Sequence, residues 1–552
     1  PAEFYSDAKV SEVLIPHLQE LYKEIITNGR MSAAQREAMV SMLYKGKGKD
    51  KKATTSYRPI AITPLEYRIL THAIQRKLLP AVLQIIGRTQ VGYTGKTRQA
   101  HDNTILLGEM AKILDTEGQG GVAVQVDNSS AFDIVQWDFT HKLLEAYGFP
   151  PCFRNLMKGI YTDLTIRIKI NGIEGEPLNV SNGVRQGCGA SPLMFLLVQE
   201  ALLSGIRESM DIEGIEVACG NETGDDLETE VRERCLADDT VVYLKNIEQL
   251  PLLFEIIEDF EIASGQSLNP EKSSTILFGS EKNKRLEIKG MKWIDYGIDE
   301  VDEGLGITIG KDQDVSTQWK DALSKMSDAC KERLSSLRAI LSTTARVRLV
   351  QGAYASKVAY KQEVQVPIDA EASLCEAQRK LDFAVLGSYP FITYERSYQP
   401  WEDGGIGHVH LLSRAKASWG ALAINLTTNY DTWKGIWWNE LKKTYGALAD
   451  NNLIKSTCSF KLFGDSNSCT ELQKRAMTTL GEMPAPRRSR TIPVERKDAD
   501  CERDRKPEER ETAPWSAAQV RKERIFFNPE CTGHSPISGR STKETEEEAV
   551  KW

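Results

Sequence analysis

Three aspartates stand where carboxylates can do chemistry. Asp127 ends the alternating run Val122, Val124, Val126, and Asp238-Asp239 interrupts a strand-like stretch from Cys235 to Leu244. Acids forced together at strand ends repel: at about 4 Å and an effective dielectric near 20 the cost is about 4 kcal/mol per pair. A divalent cation removes that repulsion, and an all-oxygen donor set suits magnesium, with manganese as the alternative. Two such ions about 3.5–4 Å apart can activate an attacking hydroxyl and stabilise the leaving oxygen of an in-line phosphoryl displacement. Asp-Asp is also ordinary turn chemistry, because aspartate favours turns. By themselves the acids leave both readings open.

The elements that must position these acids are legible in outline. Residues 7–43 have helix-like apolar spacing, followed by a flexible basic loop, Lys45-Gly-Lys-Gly-Lys49. Tyr67 to Ile86 is helical in pattern, with Leu70, Ile74, Leu78 and Val82 along one face. Val122 to Val126 reads as a strand stopping at Asp127. Ile134 to Tyr147 reads as a helix closed by Gly148 and Pro150. Thr165–Ile170 and Glu176–Val180 flank Asn171-Gly172, a hairpin pattern. A Gly-rich loop over 183–189 meets Ser191-Pro192, an N-cap followed by proline, opening a helix to about Ile206. The strand pair after Cys235 turns at Asp238-Asp239. Residues 249–264 are helical in pattern, and 314–362 carry at least two amphipathic helices.

The 552 residues hold 70 Lys+Arg against 78 Asp+Glu, for a formal charge of −8, which at first argues against a nucleic-acid partner. The charge is segregated, however. From Lys45 to Arg98 twelve basic residues face two acids, whereas 208–230 carries nine acids and no Lys or Arg and reads as a solvated insertion. With 41% apolar and 27% charged residues the composition is that of a globular chain. It lacks any run of about 18 uninterrupted apolar residues, so no membrane span is expected; the best candidate, 193–206, is broken by Gln199 and Glu200. Ten scattered cysteines without a CxxC pair fit reduced thiols in an intracellular protein, and Cys531 with His534 lacks the second pair a zinc site needs. Seven of the 21 prolines fall between 484 and 536, and 481–552 reads as disordered. The opening Pro-Ala-Glu-Phe reads as a fragment of a longer product.

In this context a run of motifs resembles the reverse transcriptases of non-LTR (LINE-type) retrotransposons, over roughly residues 25–410. Lys45-Gly-Lys with Ser56-Tyr-Arg-Pro-Ile-Ala-Ile62 resembles the family's fingers signature, and Gln90-Val-Gly-Tyr93 its continuation. Asp127-Asn-Ser-Ser-Ala-Phe-Asp133 resembles the first palm motif, and Gly183-Val-Arg-Gln-Gly-Cys-Gly-Ala-Ser-Pro192 the motif bordering the nucleotide. Leu236-Ala-Asp-Asp239 stands where the family has aromatic-Ala-Asp-Asp. The stretch Ala263 to Ser273, Gly304-Leu-Gly-Ile307 and Gly404-Gly-Ile-Gly407 resemble later motifs. All seven come in the family's order.

The resemblance implies an α+β right-hand polymerase, with an antiparallel palm sheet, a helical thumb and C-terminal helices. It implies that Asp127, Asp238 and Asp239 hold two magnesium ions while a primer 3′-hydroxyl attacks the α-phosphate of a dNTP. Phe132 takes the place of the steric gate against a 2′-hydroxyl. Gln186, with Gly187 beside it, lies against the nucleotide or template base, Arg58 grips the triphosphate, and Lys272 is a candidate general acid toward pyrophosphate. The partners implied are an RNA template, a DNA primer or nicked target DNA, and dNTPs, in the nucleus or cytoplasm. Lys331, Arg333, Arg338, Arg346, Arg348, Lys357 and Lys361 would grip a hybrid duplex through backbone and shape. Trp433, Trp437 and Trp438 suit core packing better than a stacking platform. Two departures stand out: Leu236 replaces the usual aromatic residue, and Ser130 stands where many relatives have Lys.

The expected layout is an N-terminal helical extension at 1–28 and a reverse transcriptase domain at 29–312, with fingers at about 29–120 and 148–190 and palm at about 121–147 and 191–312. A helical thumb at 313–395, a C-terminal helical region at 396–480 and the tail at 481–552 follow. No endonuclease or RNase H pattern is visible, so target cutting would come from a domain outside this sequence or from another protein. The competing readings are a decayed or domesticated copy that only binds RNA, and an RNA-dependent RNA polymerase, against which Phe132 speaks.

Overall fold

The structure, a computed structural model, describes residues 8–46, 50–95, 98–128, 132–185, 187–220, 226–270, 272–288, 290–298, 302–304, 307–310, 312–388, 390–426, 431–445 and 470–482. Helix Ala8–Asn28 leads to a capping box, in which the Ser32 side chain accepts from the Gln35 N–H and Gln35 accepts from the Ser32 backbone. There the helical spacing read over 7–43 gives way to a strand, β1 (Glu37–Tyr44). The apolar residues of Glu-Ala-Met-Val-Ser-Met-Leu-Tyr satisfy either period over so short a run, and pairing on both sides decides for the strand. β1 runs antiparallel to β2 (Tyr57–Ile62), with Leu43 opposite Arg58.

The next strand, β3 (Gly121–Val126), belongs to a second sheet, whereas β4 (Leu164–Ile170) returns to lie parallel to β1. Against β4 pair β5 (Ile173–Glu174) and β6 (Leu178–Val180). Asn171 and Gly172 turn the β4–β5 hairpin with φ of 51° and 86°, as the Asn-Gly pair predicts.

The acidic stretch folds rather than floats. β7 (Ile215–Gly220) and β8 (Asp226–Val231) form an antiparallel hairpin that buries Ile215, Val217, Cys219 and Val231 in the core, while Glu216 and Glu228 stay exposed. Alternation at period two explains both the charge count and the burial, and corrects the expectation of a solvated insertion.

The second sheet has the order β12-β11-β3-β10-β9. Its remaining strands are β9 (Glu233–Leu236), β10 (Asp239–Leu244), β11 (Ser274–Phe278) and β12 (Lys292–Asp295). From β9 to β11 the pairing is antiparallel throughout, but β12 joins β11 in parallel, so the expected antiparallel palm sheet carries one parallel edge. The connection 279–291 is long enough to bring the chain back to the starting end, as parallel pairing requires.

β3 lies between two neighbours and is covered on both faces. Val122, Val124 and Val126 pack toward helix Ser191–Glu208, and Ala123 toward helix Ala100–Glu117. Each fully buried aliphatic or aromatic side chain there contributes about 1.5–3 kcal/mol, which makes this sheet a rigid base for Asp127. Ser191 is not the N-cap expected of it. The cap position is Ala190, and the Ser191 hydroxyl is shared with the Tyr161 hydroxyl at 3.1 Å.

Helices Asp312–Leu337, Thr343–Leu349, Ser356–Val364 and Ala370–Leu386 follow the sheets, with a π-helical turn at Val350–Ala355. Helices Leu411–Asn425, Thr432–Tyr445 and Glu471–Glu482 come last. The described residues thus form an α+β, right-hand arrangement of two five-stranded sheets, two two-stranded sheets and a helical C-terminal half. Among the described residues no helix is long and apolar enough to cross a membrane. Of the tail expected at 481–552, residues 481 and 482 end helix Glu471–Glu482, while 483–552 and the Lys47–Lys49 part of the basic loop lie outside the described residues.

Candidate active site

The three aspartates meet where two neighbouring strands end. Thr240 of β10 pairs with Val126 of β3, so Asp239 and Asp127 stand one position beyond that pair on facing strands. The β9–β10 turn is Ala237-Asp238, one residue earlier than the pair read from sequence, because Leu236 already pairs with Asp239. Ala237 has φ 62°, the left-handed value that a II′ hairpin turn demands at its first central position and that usually selects glycine.

A second loop closes on Asp127 from the other side. The Asp127 N–H donates to the Ser273 hydroxyl at 3.1 Å, and the Asn269 N–H donates to the Asp127 carbonyl at 2.8 Å. Lys272 Nζ lies 2.9 Å from Asp127 Oδ2. The Asn-Pro-Glu-Lys-Ser stretch therefore anchors Asp127 by backbone and side chain together. The contribution of Asn269 is a backbone hydrogen bond that its residue type does not announce.

The acids affect one another electrostatically. Partial burial in the cleft raises the Asp238 carboxyl, and Asp127 adds to this, while Lys272 and Arg58 act the other way. Asp239 is pushed up to about 6, by desolvation first and then by Asp238 and Asp127. As they stand, no three carboxylate, imidazole or thiolate groups among the described residues are gathered tightly enough to share one ion, and Asp127 is turned to Lys272. The donor set nevertheless fits a hard divalent cation: three carboxylates, all oxygen, two of them destabilised as anions by their surroundings. Asp127, Asp238 and Asp239 are the residues that would hold it, with Asp127 exchanging Lys272 for the metal.

Of the sequence-predicted nucleotide residues, Arg58 faces the carboxylates and Phe132 lies beside Tyr93, which is itself near Asp238. Arg58 is exposed on β2, and its charge reaches Asp238 across the cleft. Phe132 is half-buried and stacks on Phe195 of helix Ser191–Glu208, with ring centroids 4.2 Å apart and planes 23° apart. Gly187 has φ 121°, and a Cβ there would strike the Ala61 carbonyl, so the glycine lets the loop cross β2 closely. Gln186 and Ser130 lie outside the described residues.

Tyr93 also belongs to the site, although its residue type and motif position assign it no role. Tyr93 sits at φ 53°, its ring edge-on to Phe132 with centroids 6.2 Å apart, and Asp238 helps to raise its hydroxyl pKa. The Gln90-Val-Gly-Tyr motif thus reaches the carboxylates directly.

The basic residues of the later helices divide. Arg346 is buried and donates to the Arg338 carbonyl, and Arg338 and Lys331 lie over the Phe383 ring, so these three knit helices together. Arg333 and Arg348 are exposed. Trp433 and Trp437 are fully buried, their indole N–H groups donating to Asp102 at 2.9 Å and Glu109 at 2.8 Å. Core packing, not a stacking platform, is their place.

Residues 49–308 match the family model described as reverse transcriptase (RNA-dependent DNA polymerase). The chain is 25% identical over 406 residues to the Transposon TX1 uncharacterized 149 kDa protein of Xenopus laevis, covering 73% of this chain and 30% of that protein. It is 26% identical over 228 residues to the Retrovirus-related Pol polyprotein from type-1 retrotransposable element R2 of Popillia japonica, covering 41% of this chain and 30% of that one. The chain therefore spans just under a third of the length of these relatives. Among solved structures, apo telomerase from Candida Tropicalis aligns over 84% of this chain and 68% of that chain, with a TM-score of 0.37 and 11% identity. Over residues 49–308 the chain thus matches a reverse transcriptase domain, and the relatives it resembles are proteins of transposable elements.

Proposed function

We propose that the chain is an RNA-directed DNA polymerase that extends a DNA primer, or the end of nicked target DNA, on an RNA template with dNTPs. The observation that carries this reading is the meeting of Asp127, Asp238 and Asp239 at the ends of β3 and the β9–β10 turn, opposite Arg58. When bound, two divalent ions, magnesium or manganese, supply activation of the attacking hydroxyl and charge neutralisation at the leaving oxygen. The primer 3′-hydroxyl forms the new P–O bond at the α-phosphorus, the α–β phosphoanhydride bond breaks, and pyrophosphate leaves. Arg58 offers a planar, bidentate donor to the triphosphate. Lys272, paired with Asp127 in the absence of substrate, gives a proton to the departing pyrophosphate. Phe132, backed by Phe195, presents its ring under the sugar and selects deoxyribose.

The setting proposed is the nucleus or cytoplasm, where a template RNA and dNTPs are at hand. Primer extension on an RNA template with magnesium and dNTPs is the test: the wild type elongates and Asp238→Ala does not. A wild type that binds template–primer without elongating it would instead make the chain an RNA-binding relative that has lost synthesis.

A further inference from the structure

The turn that carries Asp238 is held by a side chain that no polymerase role accounts for. Gln90 is fully buried, 147 residues away from that turn in the chain. Its Oε1 accepts from the Ala237 N–H at 2.9 Å and the Gly92 N–H at 2.8 Å. Its Nε2 donates to the Ala237 carbonyl at 3.1 Å and lies 3.0 Å from Cys235 Sγ. One carboxamide thus satisfies both polar groups of Ala237, the residue in the left-handed conformation. A non-glycine residue there is strained by of order 1–3 kcal/mol and persists only where its surroundings over-determine it.

Those surroundings are built around Gln90. The backbone of 89–91 is bonded to β9, Val91 N–H to Cys235 carbonyl at 2.9 Å and Cys235 N–H to Thr89 carbonyl at 3.0 Å. Asn103 donates to the Cys235 carbonyl at 2.9 Å, and Arg98 to the Gln90 carbonyl at 2.8 Å. Gly92 packs so closely that a Cβ would strike the Ala237 nitrogen. The chain beyond it places Tyr93 beside Phe132. Gln90 grips the turn, and Gly92 gives it clearance.

We propose that Gln90 is a positioning residue for the metal-binding turn: by holding Ala237 in its left-handed conformation it sets where the Asp238 and Asp239 carboxylates stand. The inference rests on the polymerase reading for its catalytic consequence, though not for its effect on metal binding. Residues that orient metal ligands from behind typically change affinity or activity by about 10–100-fold when removed.

The test uses the whole chain and Mn2+ as probe, followed by electron paramagnetic resonance, alongside primer extension and thermal melting. Gln90→Met keeps the volume and loses the grip. It is expected to melt within a few degrees of wild type, to bind Mn2+ about tenfold more weakly, and to lower kcat with template–primer affinity unchanged. Adding Ala237→Gly, which relieves the strain the glutamine opposes, is expected to restore most of both; loss of general stability would not respond to it. Gly92→Ala, with Gln90 intact, pushes the turn from the other side and is expected to weaken Mn2+ in the same way, which covers the case of a Gln90→Met chain that does not fold. Wild-type Mn2+ affinity in the folded Gln90→Met chain, or in Gly92→Ala where Gln90→Met does not fold, overturns the proposal. A wild type that binds Mn2+ through Asp238 but extends no primer overturns the polymerase reading and leaves the positioning role standing.

Discussion

Lys272 holds Asp127: its ammonium nitrogen lies 2.9 Å from Asp127 Oδ2 on the loop that also binds the Asp127 backbone. The ammonium occupies a carboxylate oxygen that Asp127 would give to a metal ion, and the pair is open to solvent, with side chains 57% and 31% exposed. An exposed pair of this kind is worth about 0–1 kcal/mol, little enough for Asp127 to exchange it for a divalent ion.

Lys272→Met frees Asp127, so half-saturation in magnesium should move to lower concentration, while loss of the proton donor should cut maximal extension by about 10²-fold. A magnesium titration of primer extension reads both at once. Unchanged kcat with altered metal dependence would leave Lys272 as a competitor for Asp127 and nothing more.

Removing a carboxylate should act differently. Asp238→Asn preserves the shape of the β9–β10 turn and the grip on Ala237, yet it removes a metal ligand. Extension should fall by about 10³-fold, and binding of an RNA–DNA template–primer, measured by fluorescence anisotropy, should change little.

Phe132 separates deoxyribonucleotide from ribonucleotide synthesis. Because its ring rests on Phe195 at 4.2 Å, Phe132→Ala should cost about 1–3 kcal/mol of stability and relax discrimination against ribonucleotides by about 10–100-fold. Competition between dNTP and rNTP in single-turnover extension gives the ratio. Efficient ribonucleotide use by the wild type, unaltered in the variant, would make the chain an RNA polymerase.

The packing of the C-terminal helices should depend on pH. Burial raises Glu109 to about 7, even though Thr470 and Trp437 both donate to it. A carboxyl raised above its unfolded value of 4.5 binds its proton more tightly in the fold, so its stabilising effect is present below that value and lost as pH rises through about 7. Melting temperature should therefore decline between these limits, by the equivalent of about 3 kcal/mol, and Glu109→Gln should flatten that dependence. A melting profile of the same slope in both chains would show that Glu109 does not titrate in this window.

Much of the candidate site could be read directly. Asp127, Asp238, Asp239, Phe132 and Lys272 announce themselves because the chemistry of their side chains is local to short motifs. Gln90 and Tyr93 sat in a quoted motif without a role, since what they touch lies in another part of the chain: Gln90 at Ala237, Tyr93 at Phe132. β1 was hidden inside a helical pattern, because a short apolar run fits two periods. The acidic hairpin was hidden by its own charge, because the acids outnumber the alternating Ile215, Val217 and Cys219 that fold it into the core.

By itself the sequence determined the chemistry: carboxylates at strand ends, an aromatic residue between them, a basic segment ahead of them, and the order of motifs that makes this a reverse transcriptase domain. Tertiary structure alone decided how the acids are held. The left-handed turn at Ala237 is unfavourable locally and exists because a buried carboxamide from a distant loop meets both of its polar groups, a contact that no spacing along the chain encodes.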